Sequence, residues 1–263
     1  MKDVKTQYKN YLDSEDGAEK YNFFKEILYG KEDSLLLKLF AIIYPKLKNL
    51  PELSVLDIGG GDGKRLIHLI QLFKQKGIDV HADLVEPSSA FTRNCQKEVA
   101  LKKYPIRVER STFEKFSTTN SYNLIILIHS IYTFRNYDYL KKIKSLLKKD
   151  GLVVFVVNDE NSFLAGLKKI TDIQYNSSRN EINALLEGLK ENKYTIKKFD
   201  TKFTGVLNKN GLTKKGKLIF EWISMRSLTG LPSDIKQDAV KFFTQRSKHG
   251  ILREKEVVIL TKF

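Results

Sequence analysis

The chain has 263 residues, a formal charge of +15 and one cysteine, Cys95. This length suits one α/β domain with additions, long enough to bury a full core, and the lone cysteine excludes an intramolecular disulfide or a cysteine-based zinc site within one chain. Apolar stretches such as Leu35 to Tyr44 (broken by Lys38) and Leu124 to Ile128 fall short of the ~20 residues of a membrane span, and Met1-Lys2-Asp3-Val4-Lys5 leads into polar positions rather than an apolar signal segment. The expectation is a cytoplasmic protein in a reducing compartment, with no membrane association.

The charge invites a nucleic-acid reading, because phosphate binders gain affinity by releasing counterions. Its distribution argues the other way. Lysine dominates over arginine, whose planar guanidinium does most base and phosphate recognition. The dense groups, Lys141-Lys142-Lys144-Lys148-Lys149 and Lys197-Lys198-Lys202, fall on a helix and a strand whose solvated faces explain them.

Residues 1–50 read as helical, with Ser14 as N-cap, Gly30 as a stop, and a second helix from Ser34 interrupted at Pro45. Strands and helices then alternate: Leu53 to Ile58 (strand), Lys64 to Gln75 (helix), Val80 to Val85 (strand), Pro87 to Lys102 (helix, proline in its first position) and Ile106 to Arg110 (strand). The alternation continues through Tyr122 to Ile128 (strand), Tyr137 to Leu147 (helix), Leu152 to Val157 (strand) and Arg179 to Lys190 (helix). Continuous apolar runs such as Leu124 to Ile128 and Leu152 to Val157 belong in the middle of a parallel sheet covered on both faces. Tyr194 to Phe203 and Glu256 to Leu260 read as further strands, separated by helical patterns over Lys215 to Arg226 and Ser233 to Lys248. The fold class is α/β, a doubly wound, mostly parallel sheet. The expected organisation is residues 1–50 as an N-terminal helical extension, 51–206 as a nucleotide-binding core and 207–263 as a helical cover plus terminal strand, all one compact unit.

The segment Val55-Leu56-Asp57-Ile58-Gly59-Gly60-Gly61-Asp62-Gly63 is the strongest signal in the chain. An apolar strand breaks into a glycine turn that opens onto a helix, which is how backbone N–H groups are brought to a nucleotide. Gly59, Gly61 and Gly63 form G-x-G-x-G, not the dinucleotide spacing G-x-G-x-x-G, whose third glycine would fall at Lys64. Glu86 ends the next strand, where a carboxylate can accept both hydroxyls of a ribose. Asp62 inside the turn would repel a pyrophosphate but suits a ligand with an ammonium and a sulfonium, such as S-adenosylmethionine. Asp57 to Gly63 followed by Glu86-Pro87-Ser88 resembles the first two motifs of class I S-adenosylmethionine-dependent methyltransferases. The resemblance implies a seven-stranded Rossmann-like sheet, with the last strand inserted antiparallel beside the fifth and the preceding helices covering the strand ends.

In open α/β sheets ligands bind beyond the carboxyl ends of the strands, where strand order reverses. That brings Asp57, the glycines and Glu86 together with Ser111 and Thr112, whose hydroxyl or N–H can meet the adenine edge, and with Ile128. His129 follows the fourth strand where the methyl acceptor must approach, as base or as orienting group, with Tyr132 packing beside it. His68, His81 and His249 show no ligand spacing, and no metal is expected. Base-amine methyltransferases of nucleic acids often carry Asn or Asp, two prolines and an aromatic residue at the fourth strand; His129-Ser130-Ile131-Tyr132 departs from that pattern.

Ile58-Gly59-Gly60-Gly61, Val85-Glu86-Pro87-Ser88, Ile128 to Tyr132, Leu152 to Asn158, and Lys217 to Trp222 ahead of Leu231-Pro232 together resemble histamine N-methyltransferase and its relatives, from about Phe23 to the end of the chain. The resemblance implies acceptor contacts from His129 and Tyr132, with Thr133 where a second aromatic would stand. It also implies contacts from Asp33 in the N-terminal extension (Glu32 beside it), Phe163 with the aliphatic Leu167 after the fifth strand, and Glu254 just before the terminal strand. The expected function is N-methylation of a small amine or imidazole-like molecule by a protein for which a monomer is favoured. The alternatives are O-methylation of a small natural-product intermediate, an RNA-modifying enzyme using the lysine surface, and a non-catalytic cofactor-binding module.

Overall fold

The structure, a computed structural model, describes residues 13–134, 138–170, 178–224 and 232–263. Its elements in chain order are α1 (Glu15–Tyr29), α2 (Ser34–Leu47), β1 (Glu52–Ile58), α3 (Lys64–Lys74), β2 (Asp79–Val85), α4 (Ser89–Lys102), β3 (Ile106–Glu109), β4 (Tyr122–Ile128) and a 3-10 turn (Ile131–Thr133). There follow α5 (Tyr139–Leu146), β5 (Leu147–Asn158), α6 (Phe163–Ile170), α7 (Ser178–Gly188), β6 (Tyr194–Thr204), β7 (Leu207–Asn208), β8 (Gly211–Leu212), α8 (Lys214–Ser224), α9 (Ser233–Arg246) and β9 (Ile251–Thr261). The expected helical character of residues 1–12, the helix start at Tyr137, the helix end at Met225-Arg226, and Leu231 lie outside the described residues.

Seven strands form one sheet in the order β3-β2-β1-β4-β5-β9-β6, and β7 pairs with β8 in a separate hairpin. The pairs β1·β2, β1·β4, β2·β3 and β4·β5 are parallel, and the last strand is antiparallel, as the fold resemblance implied. Chain order reverses between β1 and β4, where Leu56 stands opposite both Asp83 and Ile125. The apolar runs foreseen as central strands are central: β4 and the Gly151–Asn158 part of β5 are almost entirely buried. Sheets of this kind bury both faces, so side chains at successive positions are all apolar instead of alternating.

The chain divides into two compact units. One comprises Leu36–Val157, Asn180–Lys197 and Val257–Phe263. Its core joins Leu56, Ile58 and Val85 to Ile125, Leu127, Val153 and Phe155, with Ile143 and Leu185 from helices, Leu189 from the turn after α7 and Ile259 from β9. Burying each such side chain stabilises by about 1.5–3 kcal/mol before entropy is counted. The other comprises Met1–Leu35, Asn158–Arg179 and Lys198–Glu256. There Trp222 of α8 meets Tyr21 and Phe24 of α1 at 5.0 and 5.7 Å between ring centroids. A Cβ on Gly166 of α6 would lie 2.7 Å from the Phe242 ring of α9, so glycine leaves the space that ring occupies.

Several boundaries differ from the sequence reading. Ser14 does cap α1, accepting the Gly17 N–H at 3.0 Å, but α2 runs through Pro45 to Leu47. Proline there removes one hydrogen bond near the helix end, and the buried stripe Leu35, Leu36, Leu39, Ile43 and Leu47 holds the last turn regardless. Pro87 lies outside its helix: Ser88 is extended and its hydroxyl accepts the Phe91 N–H at 3.3 Å, so α4 starts at Ser89. β5 begins at Leu147 rather than Leu152, with a register irregularity between Tyr122 and Leu124 of its partner β4. β9 begins at Ile251, so Glu254 lies inside the strand rather than before it. Helix α6 and the β7–β8 hairpin were not foreseen.

Candidate cofactor and acceptor site

The site is built at the carboxyl ends of β1, β2, β3 and β4, all in the sheet unit. Asp57 is buried in β1. The turn that follows depends on glycine at two positions. Gly59 has φ 72°, and a Cβ there would lie 2.4 Å from the Ser130 Cβ; Gly63 has φ 73°, and its Cβ would lie 2.4 Å from the Cys95 sulfur. Both conformations are costly for any residue with a side chain, and both contacts leave no room for one. The Gly59 N–H donates to the Val85 carbonyl at 2.8 Å, which sets the turn against the end of β2.

Glu86, also buried, locks the loop from the neighbouring strand. Its Oε2 accepts the Gly61 N–H at 3.0 Å and its Oε1 accepts the Ser88 N–H at 2.9 Å. A carboxylate has about four lone-pair sites, and these two backbone donors fix its orientation. Asp62 is turned inward: it is buried, its Oδ1 accepts the Lys64 N–H at 3.4 Å, and its Oδ2 lies 3.2 Å from the exposed Lys64 ammonium. It thus lies at the start of α3, where Gly63 supplies no side-chain cap. Behind the loop, burial and then the charges of Asp57, Asp62 and Glu86 push the Cys95 thiol up to about 12. It is a neutral packing group.

After β3, the Ser111 hydroxyl donates to the Thr112 carbonyl at 3.0 Å, and that carbonyl also accepts the N–H groups of Lys115 and Phe116. After β4, Ile128 is half-buried and His129 takes a left-handed φ of 56°, its N–H donating to the Val156 carbonyl at 2.9 Å. A left-handed backbone is uncommon for histidine and re-aims the side chain where the strand ends. The imidazole and the Tyr132 ring are near-parallel, with centroids 6.4 Å apart, and Tyr132 also packs on the core. Sequence reasoning missed Ser130: its buried hydroxyl donates to the Ile58 carbonyl at 2.6 Å, tying β4 to β1 across the reversal point. The signal was a small polar residue two positions past the end of β4, opposite the first glycine.

The other expected acceptor contacts lie in the second unit. Asp33 has φ 48° in the turn between α1 and α2, its N–H donating to the Gly30 carbonyl at 3.2 Å. Phe163 is buried at the start of α6 among Phe203, Phe242 and Phe243. Glu254 is fully buried; Oε1 accepts from the Asn158 amide and Oε2 from the Leu164 N–H, each at 2.9 Å. Burial and then the charge of Glu256 raise its carboxyl to about 8. Phe163 and Glu254 thus meet through the first turn of α6, and both have packing partners within their own unit.

A family model described as a methyltransferase domain matches residues 25–200. The chain belongs to that family. It is an S-adenosylmethionine-dependent methyltransferase. No curated protein matches it. Among solved structures the methyltransferase is similar to the YcgJ protein of Bacillus subtilis, at 16% identity and a TM-score of 0.58, over 86% of this chain and 97% of that one. It is also similar to the plantazolicin methyltransferase BpumL, solved with a triazolic desmethylPZN analog and SAH, at 13% identity and a TM-score of 0.59, over 98% and 96% of the two chains. A third, the precorrin-6y C5,15-methyltransferase of Geobacter metallireducens, aligns at 8% identity and a TM-score of 0.51, over 86% and 87%. At these identities the likeness is one of fold.

The residues present fit the family's cofactor: the cradle at Gly59 and Gly63 is one that a Cβ would fill, and the Glu86 carboxylate is already oriented by backbone donors. Among the described residues no group of His, Cys, Asp or Glu is arranged to hold a metal, and no helix is long and apolar enough to cross a membrane.

Proposed function

We propose that this methyltransferase N-methylates a small molecule, an amine or imidazole-like compound of the kind the resemblance to histamine N-methyltransferase implies. The observation that carries the reading is the left-handed His129 at the end of β4, one residue from the Ser130 hydroxyl that ties this strand end to the glycine turn. Glu86 would hold the ribose, the turn from Asp57 through Gly59, Gly61 and Gly63 the amino-acid part, and Ser111, Thr112 and Ile128 the surroundings of the base. When bound, S-adenosylmethionine supplies an electrophilic methyl group on a sulfonium. His129 orients the acceptor's lone pair, and Tyr132 packs beside the imidazole. Displacement by an amine depends on distance and alignment more than on a strong base, so an imidazole held by its backbone suffices.

Asp33, Phe163 and Glu254 are the proposed acceptor contacts outside the sheet unit, residues 1–50 the proposed lid and 207–263 the proposed cover. The end-to-end alignment with a plantazolicin methyltransferase supports a natural-product-like acceptor, and leaves O-methylation as the second reading. The test is transfer of labelled methyl from S-adenosylmethionine to a panel of small amines, imidazoles, phenols and carboxylates. Label on amines or imidazoles is the expected result; silence there with label on oxygen acceptors would move the assignment to O-methylation.

A further inference from the structure

We infer that Lys142 is a positioning residue for cofactor recognition: its ammonium holds the loop after β3 in the shape that reads the adenine edge. The inference rests on the reading that Ser111 and Thr112 meet that edge. Lys142 lies on α5, and its Nζ donates to the carbonyls of Phe113 at 2.6 Å, Glu114 at 3.1 Å and Phe116. The same ammonium stands 4.9 Å from the centroid of the Phe113 ring.

An ammonium has three N–H donors, and here three carbonyls of one tight turn receive them. The turn's own donors are directed elsewhere: the Lys115 and Phe116 N–H groups and the Ser111 hydroxyl all converge on the Thr112 carbonyl. The carbonyls of Phe113, Glu114 and Phe116 therefore point together toward α5, and without the lysine they would face one another with no cation between them. The ends of the segment are fixed separately. Buried Asp83 takes Arg107 through Nε at 2.9 Å and Nη2 at 3.0 Å, the Asn120 amide at 3.4 Å and the Tyr122 hydroxyl. Asp83 thus anchors residues on either side of the loop, and Lys142 sets the turn between them.

Adenine and hypoxanthine differ along this edge: an exocyclic amine becomes a carbonyl and the adjacent ring nitrogen gains a proton. A loop held rigidly distinguishes the two, and a loosened loop does not. A lysine needed only for stability would weaken both ligands alike. The experiment measures S-adenosylhomocysteine and S-inosylhomocysteine affinities by calorimetry for the wild type and Lys142→Met, with hydrogen exchange of the segment containing residues 110–116. For the wild type we expect protection of that segment on ligand binding and an adenine preference of about tenfold, the worth of one well-placed hydrogen bond. For Lys142→Met we expect the preference to fall to within about twofold of unity and the protection to be lost. If the wild type protects and discriminates but Lys142→Met keeps the full preference, the role of Lys142 is overturned while Ser111 and Thr112 stand. If the wild type binds with no protection of the segment, the base reading itself fails and the inference with it. Should Lys142→Met not fold, Lys142→Gln, with its shorter amide donor, takes its place in the same comparison.

Discussion

The Glu86 carboxylate accepts the Gly61 N–H at 3.0 Å, so the residue expected to clasp the sugar also fixes the glycine turn beside it. Glu86→Ala removes both functions, and S-adenosylhomocysteine affinity should fall by about 1–3 kcal/mol. Glu86→Gln should do little better, because its amide N–H would face a backbone donor at Gly61 or Ser88. Calorimetry decides; affinity unchanged in either variant would remove Glu86 from the ribose.

Gly59→Ala is expected to abolish measurable cofactor binding, since the new Cβ would stand 2.4 Å from the Ser130 Cβ. Gly30→Ala is the control for strain without collision: with φ 76° and ψ 173° its backbone is one that glycine alone adopts readily, but nothing lies within 4 Å. It should lose about 1–3 kcal/mol of stability and keep binding. Ser130→Gly added to Gly59→Ala removes the clashing atom and should recover part of the affinity. A double variant no better than Gly59→Ala would show that strain, not collision, dominates.

His129→Asn keeps a residue that tolerates left-handed backbone while removing the imidazole. Turnover should drop by about tenfold to a hundredfold, with S-adenosylhomocysteine affinity within about twofold of the parent. A variant as active as the parent would make His129 structural.

Glu254 makes stability depend on pH. Its carboxyl is raised by burial and by Glu256 from 4.5 to about 8, against hydrogen bonds from Leu164, Ser162 and Asn158. Over that window the unfolded chain has released a proton that the folded chain keeps, so stability falls as pH rises. The contribution is fully present below pH 4.5 and lost above about 8. Glu254→Gln should flatten the fall in melting temperature between about pH 5 and 8.5. Parallel profiles for variant and parent would show that Glu254 does not titrate there.

Much of the fold was legible because its signals are local and repeated. The runs Leu124 to Ile128 and Leu152 to Val157 announced buried central strands, and Ser14 and Gly30 marked the ends of α1. What failed was set by long-range contact. The buried stripe on α2 carries the helix past Pro45, and β9 starts at Ile251, six residues before its continuous apolar run at Val257. In the site, the glycines and Glu86 were visible from spacing. The Ser130–Ile58 bond spans 72 positions and the Lys142–Phe113 bond 29, so no local pattern encodes either. The inward turn of Asp62 follows from Lys64, whose backbone and side chain both claim it.

The most direct test of the account is a crystal structure with S-adenosylhomocysteine. The account predicts the nucleoside at the carboxyl ends of β1, β2 and β3, with both ribose hydroxyls in hydrogen-bond range of Glu86 and the base against Ser111 and Thr112. A nucleoside bound elsewhere, or one at this crevice with its sugar away from Glu86, would contradict it.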